Sequence, residues 1–223
     1  SSNDAYAAQL NNLTNENSVT AKVNQGLNFN GVDTNINVTY PDMTSYTMAI
    51  SVWFKANPTS ANGYIVTLGN GENNTMGLLV TSANTLIAQV FNGSGVGYSG
   101  GSTTITTGVW HNALLVYTPA PVRAYLYLDG KYITVSGFEG TILPNTQLKI
   151  GGEGTYGTQY TFNGTIDEVL IFNGSLSNNQ IKELYLLENN DTAYSTTGNW
   201  TYARLDAETA TAKVSCQATK QTI

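Results

Sequence analysis

The stretch from Phe162 to Glu188 places the strongest constraint on what this chain can fold into. Its first half, Thr165 to Phe172, is rich in β-branched and apolar residues, which predicts a strand buried on at least one face, ending at Asn173-Gly174. Ser177 is placed to cap a helix that follows. The apolar residues of that helix recur at three- to four-residue spacing on one stripe: Ile181, Leu184, Tyr185 and, at its margin, Leu187. The helix can therefore lie on the body that the strand completes.

Before that stretch, short segments of strand character are separated by turn residues. Between Met48 and Phe54, apolar residues at even positions alternate with Ala49, Ser51 and Trp53, which puts one face in the core and Trp53 on the other. Asp129-Gly130 between two alternating runs predicts a β-hairpin. The predicted strands span residues 26–30, 34–39, 48–54, 64–68, 76–81, 85–91, 109–117, 122–128, 132–135, 147–150 and 165–172. We therefore expect an all-β, two-sheet antiparallel sandwich with one short C-terminal helix.

Both ends of the chain extend beyond this body. Residues 1–21 form a polar, Asn-rich extension with a weak helical pattern at Ala5 to Leu10, and residues 189–223 form a β-prone tail. Within the tail, Trp200 to Leu205 and Thr211 to Cys216 have the composition of strands. Such a tail can add edge strands to its own sheet or exchange them with a neighbouring subunit. The sandwich itself is expected over residues 22–188.

Composition limits the classes of partner. Hydrophobic residues make up 41% of the chain and charged residues only 11%, against about 25% charged residues in an ordinary soluble domain. The net charge of -6, with nine Lys and Arg spread along the chain, argues against nucleic-acid binding. No apolar run approaches the roughly 18 to 20 residues of a membrane span. Cys216 is the single cysteine, so no disulfide within the chain is expected.

Eight Asn-x-Ser/Thr sequons indicate an extracellular or cell-surface protein that carries N-glycans at some of these sites. About five would arise by chance at this content of Asn, Ser and Thr, so the excess is modest. Glycans would also help to keep a surface of low charge soluble. The eight asparagines are Asn12, Asn37, Asn73, Asn92, Asn163, Asn173, Asn190 and Asn199.

The motif F-x-G-x-[IL]-D-[ED]-V-x-[IV], followed by L-S-x-x-x-I-x-x-L-Y, lies between Phe162 and Tyr185. It is similar to the C-terminal signature of laminin G-like (LamG/LamGL) domains, which are concanavalin A-like jelly rolls. Other pieces match this family in the same order: Gly26 to Gly31, Tyr46 to Lys55, Ile65 to Gly69, Gly108 to His111 leading to Val116-Tyr117, and Leu126 to Lys131. The resemblance covers about Lys22 to Leu187 and implies jelly-roll topology. Because this fold carries lectins, adhesion modules, structural domains and some hydrolases, it does not assign a function.

The sequence does not predict an enzyme, and we assign no catalytic residue. Glycoside hydrolases that share the jelly roll carry two glutamates on one strand in an E-x-D-x-E pattern, which is missing. Asp167 and Glu168 are adjacent, so on a strand they point to opposite faces. His111 resembles the histidine at a strand start in the family, and we expect it to be satisfied by hydrogen bonds rather than catalytic.

The resemblance implies one structural Ca²⁺ as a cofactor, held by the carboxylate of Asp167 and by backbone carbonyls near Asn30-Gly31. Asp33 could supply another oxygen. Calcium takes oxygen ligands from several chain segments, so it could join the first strand to the last. The alternative is that Asp167 accepts hydrogen bonds from a turn.

Four aromatic residues are candidates for glycan binding: Trp53, Tyr117, Tyr125 and Tyr127. They lie on strands whose opposite residues are core-like, so their rings could face one side of a sheet and stack on sugars. The alternative is that they are ordinary strand residues.

The sequence thus leaves two functions open. The first is a non-catalytic extracellular domain that binds a carbohydrate or a surface or matrix protein, as in adhesion. The second is a structural subunit of a cell-surface layer or extracellular filament, which binds copies of itself through its terminal extensions.

Overall fold

The computed structural model describes residues 5–23, 25–39, 47–69, 76–91, 97–119, 122–137, 147–152, 160–172, 174, 176–189, 200–206 and 213–219. Two antiparallel sheets of seven strands each face one another, and one short helix lies outside them. The expected two-sheet sandwich with a C-terminal helix is therefore confirmed. None of the helices in these described ranges is long and apolar enough to cross a membrane.

The first sheet contains β14, the strand that the stretch from Phe162 to Glu188 predicts. In spatial order its strands are β12 (Lys131–Gly137), β11 (Val122–Leu128), β10 (His111–Pro119), β5 (Met48–Ala56), β14 (Asn163–Phe172), β3 (Gln25–Asn30) and β2 (Ser18–Thr20). The predicted hairpin at Asp129-Gly130 joins β11 to β12. A bulge between Asp167 and Leu170 interrupts the pairing of β14 with β5, and Glu168 within it has a φ of 46°.

The second sheet lies across the core. In spatial order its strands are β1 (Ala5–Asn11), β4 (Asn35–Thr39), β13 (Gln147–Ile150), β6 (Gly63–Leu68), β7 (Met76–Val80), β8 (Thr85–Phe91) and β9 (Gly97–Thr104). The weak helical pattern at Ala5 to Leu10 is wrong, because this segment pairs as a strand with β4 through Ala8 to Asn11. A 3₁₀ turn, Asn15–Asn17, follows β1.

The C-terminal tail forms the two expected strands, β15 (Trp200–Asp206) and β16 (Lys213–Thr219), which pair with each other as a hairpin. β15 also pairs with β14 of the first sheet, and β16 pairs with β1 of the second. The tail therefore connects the two sheets along one side of the sandwich. On the other side β9 packs against β12, where a Cβ added at Gly101 would lie 1.9 Å from Cγ2 of Thr134.

The main core lies between the sheets and is filled by alternate residues of facing strands. Phe29, Ile50, Phe54, Leu115 and Phe162 are fully buried there. In β5 the even-numbered residues point inward, as the alternation predicted, and Ala49 belongs to a second cluster on the outside of the first sheet. That outer cluster is what the helix covers.

The helix α1 (Asn178–Asn189) begins at the predicted cap. The amide of Gln180 donates to Oγ of Ser177 over 3.4 Å, and the amide of Ser177 donates to Oε1 of Gln180 over 2.9 Å. This reciprocal pair satisfies backbone donors at the helix start. Ile181 and Leu184 are buried against the first sheet, as their spacing predicted.

Candidate functional site

The helix covers much of the outer face of the first sheet. Its buried residues pack with outward-facing side chains of four strands in one apolar cluster. The members are Ala49, Leu114, Val116, Tyr127, Leu170, Phe172, Leu176, Ile181 and Leu184. A ligand for this face must therefore bind beside the helix rather than beneath it.

Trp53 faces outward, as predicted, but the structure covers it. Its ring stacks on Tyr185 of α1, with centroids 5.6 Å apart and an interplanar angle of 17°. Nζ of Lys22 lies 4.8 Å from the centroid of the same ring. Only 2% of Trp53 is exposed. The prediction that Trp53 offers an open stacking surface for sugars is therefore wrong. Its ring is the part of the first sheet on which Tyr185 of the helix packs.

Gly130 leaves the space that Tyr185 needs to stack on Trp53. This glycine has a φ of +70°, and a Cβ added to it would lie 2.8 Å from Cδ1 of Tyr185. The hairpin turn between β11 and β12 thus touches the helix directly. Any side chain at Gly130 would push the Tyr185 ring off Trp53.

The prediction that Tyr117 could bind a glycan is also wrong, because its side chain points into the core between the sheets and is 3% exposed. Tyr125 and Tyr127 do lie on the outer face, where both contact the helix-covered cluster. Of the four predicted aromatic residues, Tyr117 is therefore in the core and Trp53 is covered by the helix. Tyr125 and Tyr127 lie beside the helix.

Tyr125, Tyr127, Tyr132 and Asn178 form what we call the tyrosine surface, which lies beside the start of the helix. Tyr132 is 53% exposed, and its ring meets that of Tyr127 edge to face, with centroids 5.7 Å apart. The hydroxyl of Tyr127 donates to Oδ1 of Asn178 over 2.8 Å, which fixes the Tyr127 ring. Tyr125 is half-buried beside them.

The chemistry of the tyrosine surface is that of neutral hydroxyl and amide groups around an exposed ring. Burial, and next the neighbouring hydroxyls of Tyr125 and Tyr132, raise the pKa of Tyr127, so that it stays a protonated donor. Asn178 accepts through Oδ1, and its Nδ2 group takes no part in that bond. The surface can therefore offer donors and an aromatic face together.

The residues predicted for calcium do not fit one site. Asn30 pairs with Asn163 at the start of β14, and Asp167 lies four residues further along, a separation of about 13 Å at the rise of a strand. Oδ2 of Asp167 accepts from the amide of Val23 over 2.8 Å, and Oδ1 accepts from the amide of Glu168 over 2.9 Å. This is the alternative that the sequence left open, in which Asp167 accepts hydrogen bonds from a turn.

The loop after β3 is built by its own polar side chains. Oδ1 of Asn30 accepts from the amides of Val32 and Asp33 over 2.8 and 3.1 Å. The carboxylate of Asp33 accepts from the side-chain amides of Asn30 and Asn12 over 2.8 and 3.1 Å. Gly31 turns this loop with a φ of 71°. In the part of the chain that the structure describes, no three His, Cys, Asp or Glu residues are grouped to hold a metal, and calcium binding stays a prediction.

His111 is satisfied by hydrogen bonds, as expected. Nδ1 lies 2.9 Å from Oδ2 of Asp129, and Nε2 lies 3.2 Å from the carbonyl oxygen of Thr106. The hydrogen bond to Asp129 is the main cause that raises the pKa of His111, against the lowering effect of burial. Both ring nitrogens face acceptors, so the protonated imidazole fits this position best.

The outer face of the second sheet carries a row of residues in register across neighbouring strands: Asn37, Lys149, Thr67, Gly77 and Gln89. The hydroxyl of Tyr64 reaches Oε1 of Gln89 by a hydrogen bond. Thr67 is fully buried and Lys149 is 9% exposed, so this row offers less accessible chemistry than the tyrosine surface. Sequence periodicity found these strands, but it could not align the residues across them.

Three of the eight predicted glycosylation sites lie in described residues. Asn12 is exposed in the turn after β1, Asn37 is half-buried on β4, and Asn163 is half-buried at the start of β14. The side-chain amide of Asn57 donates to Oδ1 of Asn163 over 3.1 Å. Asn12 is thus the most accessible of these three. The other five lie outside the described residues: Asn73, Asn92, Asn173, Asn190 and Asn199.

Solved structures with this arrangement are similar in fold at low sequence identity. The receptor-binding domain of botulinum neurotoxin type G has a TM-score of 0.65 at 11% identity over 82% of this chain, and the match spans 46% of that longer domain. Domain 4 of AbnA, a GH43 extracellular arabinanase from Geobacillus stearothermophilus, in complex with arabinotriose, has a TM-score of 0.63 at 19% identity. That match covers 80% of this chain and 87% of the domain.

The Ruminococcus gnavus IT-sialidase CBM40 bound to α2,3-sialyllactose has a TM-score of 0.59 at 17% identity, covering 72% of this chain and 96% of that one. No curated protein sequence matches this chain. A family model, Laminin_G_3, matches residues 30–182, which is more than half of the sequence. The chain therefore belongs to the family described as the concanavalin A-like lectin/glucanases superfamily.

Proposed function

We propose that this domain binds carbohydrate without catalysing a reaction, and that the tyrosine surface is its binding site. The observation that carries the proposal is Tyr132, a 53% exposed aromatic ring held edge to face against Tyr127. Two structures of the same fold were solved with saccharides, arabinotriose and α2,3-sialyllactose. They support the class of ligand, while the position of the site rests on this chain's own residues.

Tyr132 would stack on the apolar face of a sugar ring, because an exposed tyrosine presents a flat surface at low entropic cost. The hydroxyl of Tyr125 and the Nδ2 group of Asn178 would then bond sugar hydroxyls at the edge of the ring. Tyr127 would act as a positioning residue, since its hydroxyl is already bonded to Asn178. The pairing of an aromatic face with a few fixed polar groups is typical of small-ligand sites.

Two observations on acidic residues support a domain that does not catalyse a reaction. Both oxygens of Asp167 accept backbone amides, and the E-x-D-x-E pattern of the related hydrolases is missing from the sequence.

We also propose that the domain lies outside the cell. Asn12 is an exposed asparagine in an N-glycosylation sequon, and such glycans are carried by secreted and cell-surface proteins. Mass spectrometry of the native protein before and after glycosidase treatment would test that location.

The binding proposal is tested with an array of neutral and sialylated oligosaccharides, followed by calorimetry on the best ligand. Tyr132→Ala should weaken binding at least tenfold, a loss of about 1.4 kcal/mol. Tyr132→Phe should retain most of the affinity, because stacking needs the ring and not its hydroxyl.

Val109→Ala is the matched control, because Val109 is also an exposed apolar residue, 44% exposed on the loop before β10. It should leave the affinity unchanged. Equal affinity of the wild type and Tyr132→Ala would contradict the site. Failure of every saccharide on the array to bind would contradict the function.

A further inference from the structure

We infer that the C-terminal hairpin β15–β16 is an exchangeable element that pairs with the same two sheet edges on a second copy of this chain. The inference does not rest on carbohydrate binding. It rests on the unequal lengths of the strand pairings that hold the hairpin together and of those that attach it to the body.

Within the hairpin, β15 and β16 pair through seven residue pairs, from Trp200 with Thr219 to Asp206 with Lys213. Its attachments to the body are shorter. β15 pairs with β14 through three residue pairs, Leu170 to Phe172, and β16 pairs with β1 through three, Ala5 to Ala7. The hairpin could therefore leave as a unit that keeps the longer ladder intact.

Departure of the hairpin would expose one edge on each sheet. On the edge of β14 opposite β5, β3 pairs with Asn163 to Ile166. Among the described strands, only the hairpin pairs with Leu170 to Phe172 on that edge. β1 is used by β4 from Ala8 to Asn11, and the hairpin pairs with Ala5 to Ala7. Unpaired edges are templates for strand addition. An identical hairpin from a second copy would fit both edges with the same register.

The connection allows such a transfer. The helix ends at Asn189 and β15 begins at Trp200, so ten residues, 190–199, join them. A stretch of that length reaches at most about 35 Å when extended, which is comparable with the width of a domain of this size. Reciprocal exchange would give a closed dimer, and head-to-tail exchange would give an open chain of subunits.

The test uses full-length chains in which Cys216 is replaced by serine. One chain carries Ala5→Cys and the other carries Ser215→Cys, because Ala5 and Ser215 are directly paired between β1 and β16. Directly opposed positions on neighbouring antiparallel strands are suitable for an engineered disulfide. The two chains are mixed in denaturant, refolded together and oxidised. We expect a disulfide-linked heterodimer, since neither chain holds both cysteines.

The matched control replaces Ser215→Cys with Thr219→Cys. Thr219 lies four residues further along β16 and pairs with Trp200 within the hairpin, so it should give at least tenfold less heterodimer with Ala5→Cys. Equal yields from the two mixtures would overturn the inference, because they would show random collision.

A chain with both Ala5→Cys and Ser215→Cys provides the second measurement. It should form a bond within one chain as well as bonds between chains, and the fraction linked between chains should rise with protein concentration. A bond that forms only within one chain at every concentration would overturn exchange. Failure to form either bond would overturn the pairing of β16 with β1.

Discussion

Nδ1 of His111 lies 2.9 Å from Oδ2 of Asp129, at the point where the hairpin turn after β11 meets the start of β10. The other carboxylate oxygen of Asp129 accepts from the amide of Asn112 over 2.9 Å. Nε2 of His111 faces the carbonyl oxygen of Thr106. One imidazole thus links the loop before β10 to the turn that touches the helix.

This arrangement predicts that stability falls as pH rises. The pKa of His111 is raised above its ordinary value of 6.5, first by the hydrogen bond to Asp129. The protonated ring therefore contributes its full stabilisation below about pH 6.5, and this is lost as pH rises through the higher pKa of the folded state. We therefore expect urea unfolding to give a lower free energy of unfolding above the raised pKa than below pH 6.5. His111→Gln should remove this pH dependence, and a wild-type chain that grows more stable over the same range would contradict it.

Trp53→Ala should lower the free energy of unfolding by about 3 to 5 kcal/mol. Trp53 is buried under Tyr185 and Lys22, so its removal leaves a cavity where the helix is seated. Tyr132→Ala, at a half-exposed position whose ring packs on Tyr127, should lower stability by about 1 kcal/mol at most. Urea unfolding of the two variants measures this contrast. If Trp53→Ala weakened sugar binding and left stability unchanged, Trp53 would be a binding residue after all.

Asp167→Asn should destabilise the fold by about 1 to 3 kcal/mol, equally in calcium and in EDTA. The carboxylate accepts two backbone amides, from Val23 and Glu168, and an amide side chain can match only one of them with its oxygen. Thermal unfolding of both proteins in the two buffers measures the effect. A wild-type melting temperature that drops in EDTA, with no such drop in Asp167→Asn, would assign the residue to calcium instead.

Gly101→Ala should cost about 3 kcal/mol of stability. Gly101 has a φ of +119°, and the added Cβ would collide with Thr134 on β12. Gly108→Ala is the control, since its φ is +78° but nothing lies within 4 Å, and only the backbone cost of about 1 to 2 kcal/mol remains. Denaturant midpoints of both variants separate the two costs. Equal losses would mean that β9 and β12 do not close the sandwich on this side.

The strands that the sequence located best are those with apolar alternation. β8, β11 and β13 have the predicted bounds, and the helix begins beside its predicted cap. β9 was missed because Gly97 to Thr104 reads as a Gly/Ser loop, and only pairing with β8 makes it a strand. β1 was missed because its partners, β4 and β16, are distant in sequence.

The candidate site was predicted in part. Alternation placed Trp53 on the outer face correctly, but it could not show that Tyr185 covers this residue. Tyr132 was not singled out, although the two-residue turn at Asp129-Gly130 fixes its pairing with Tyr127. The position of this turn in the sequence could therefore have identified Tyr132 as the neighbour of Tyr127. The contact of Tyr127 with Asn178 depends on where the helix lies, which local patterns do not specify.

The tyrosine surface is tested as the binding site most directly by ¹⁹F NMR of the chain labelled with 3-fluorotyrosine and titrated with the best saccharide from the array. The Tyr132 signal is assigned by its loss in Tyr132→Phe. Saturable shifts of the Tyr132 and Tyr125 signals, with none at Tyr117 between the sheets, are the predicted result. Shifts confined to Tyr64 and Tyr160, which form an edge-to-face pair 6.0 Å apart and include the hydroxyl that meets Gln89, would contradict it by placing the sugar on the second sheet.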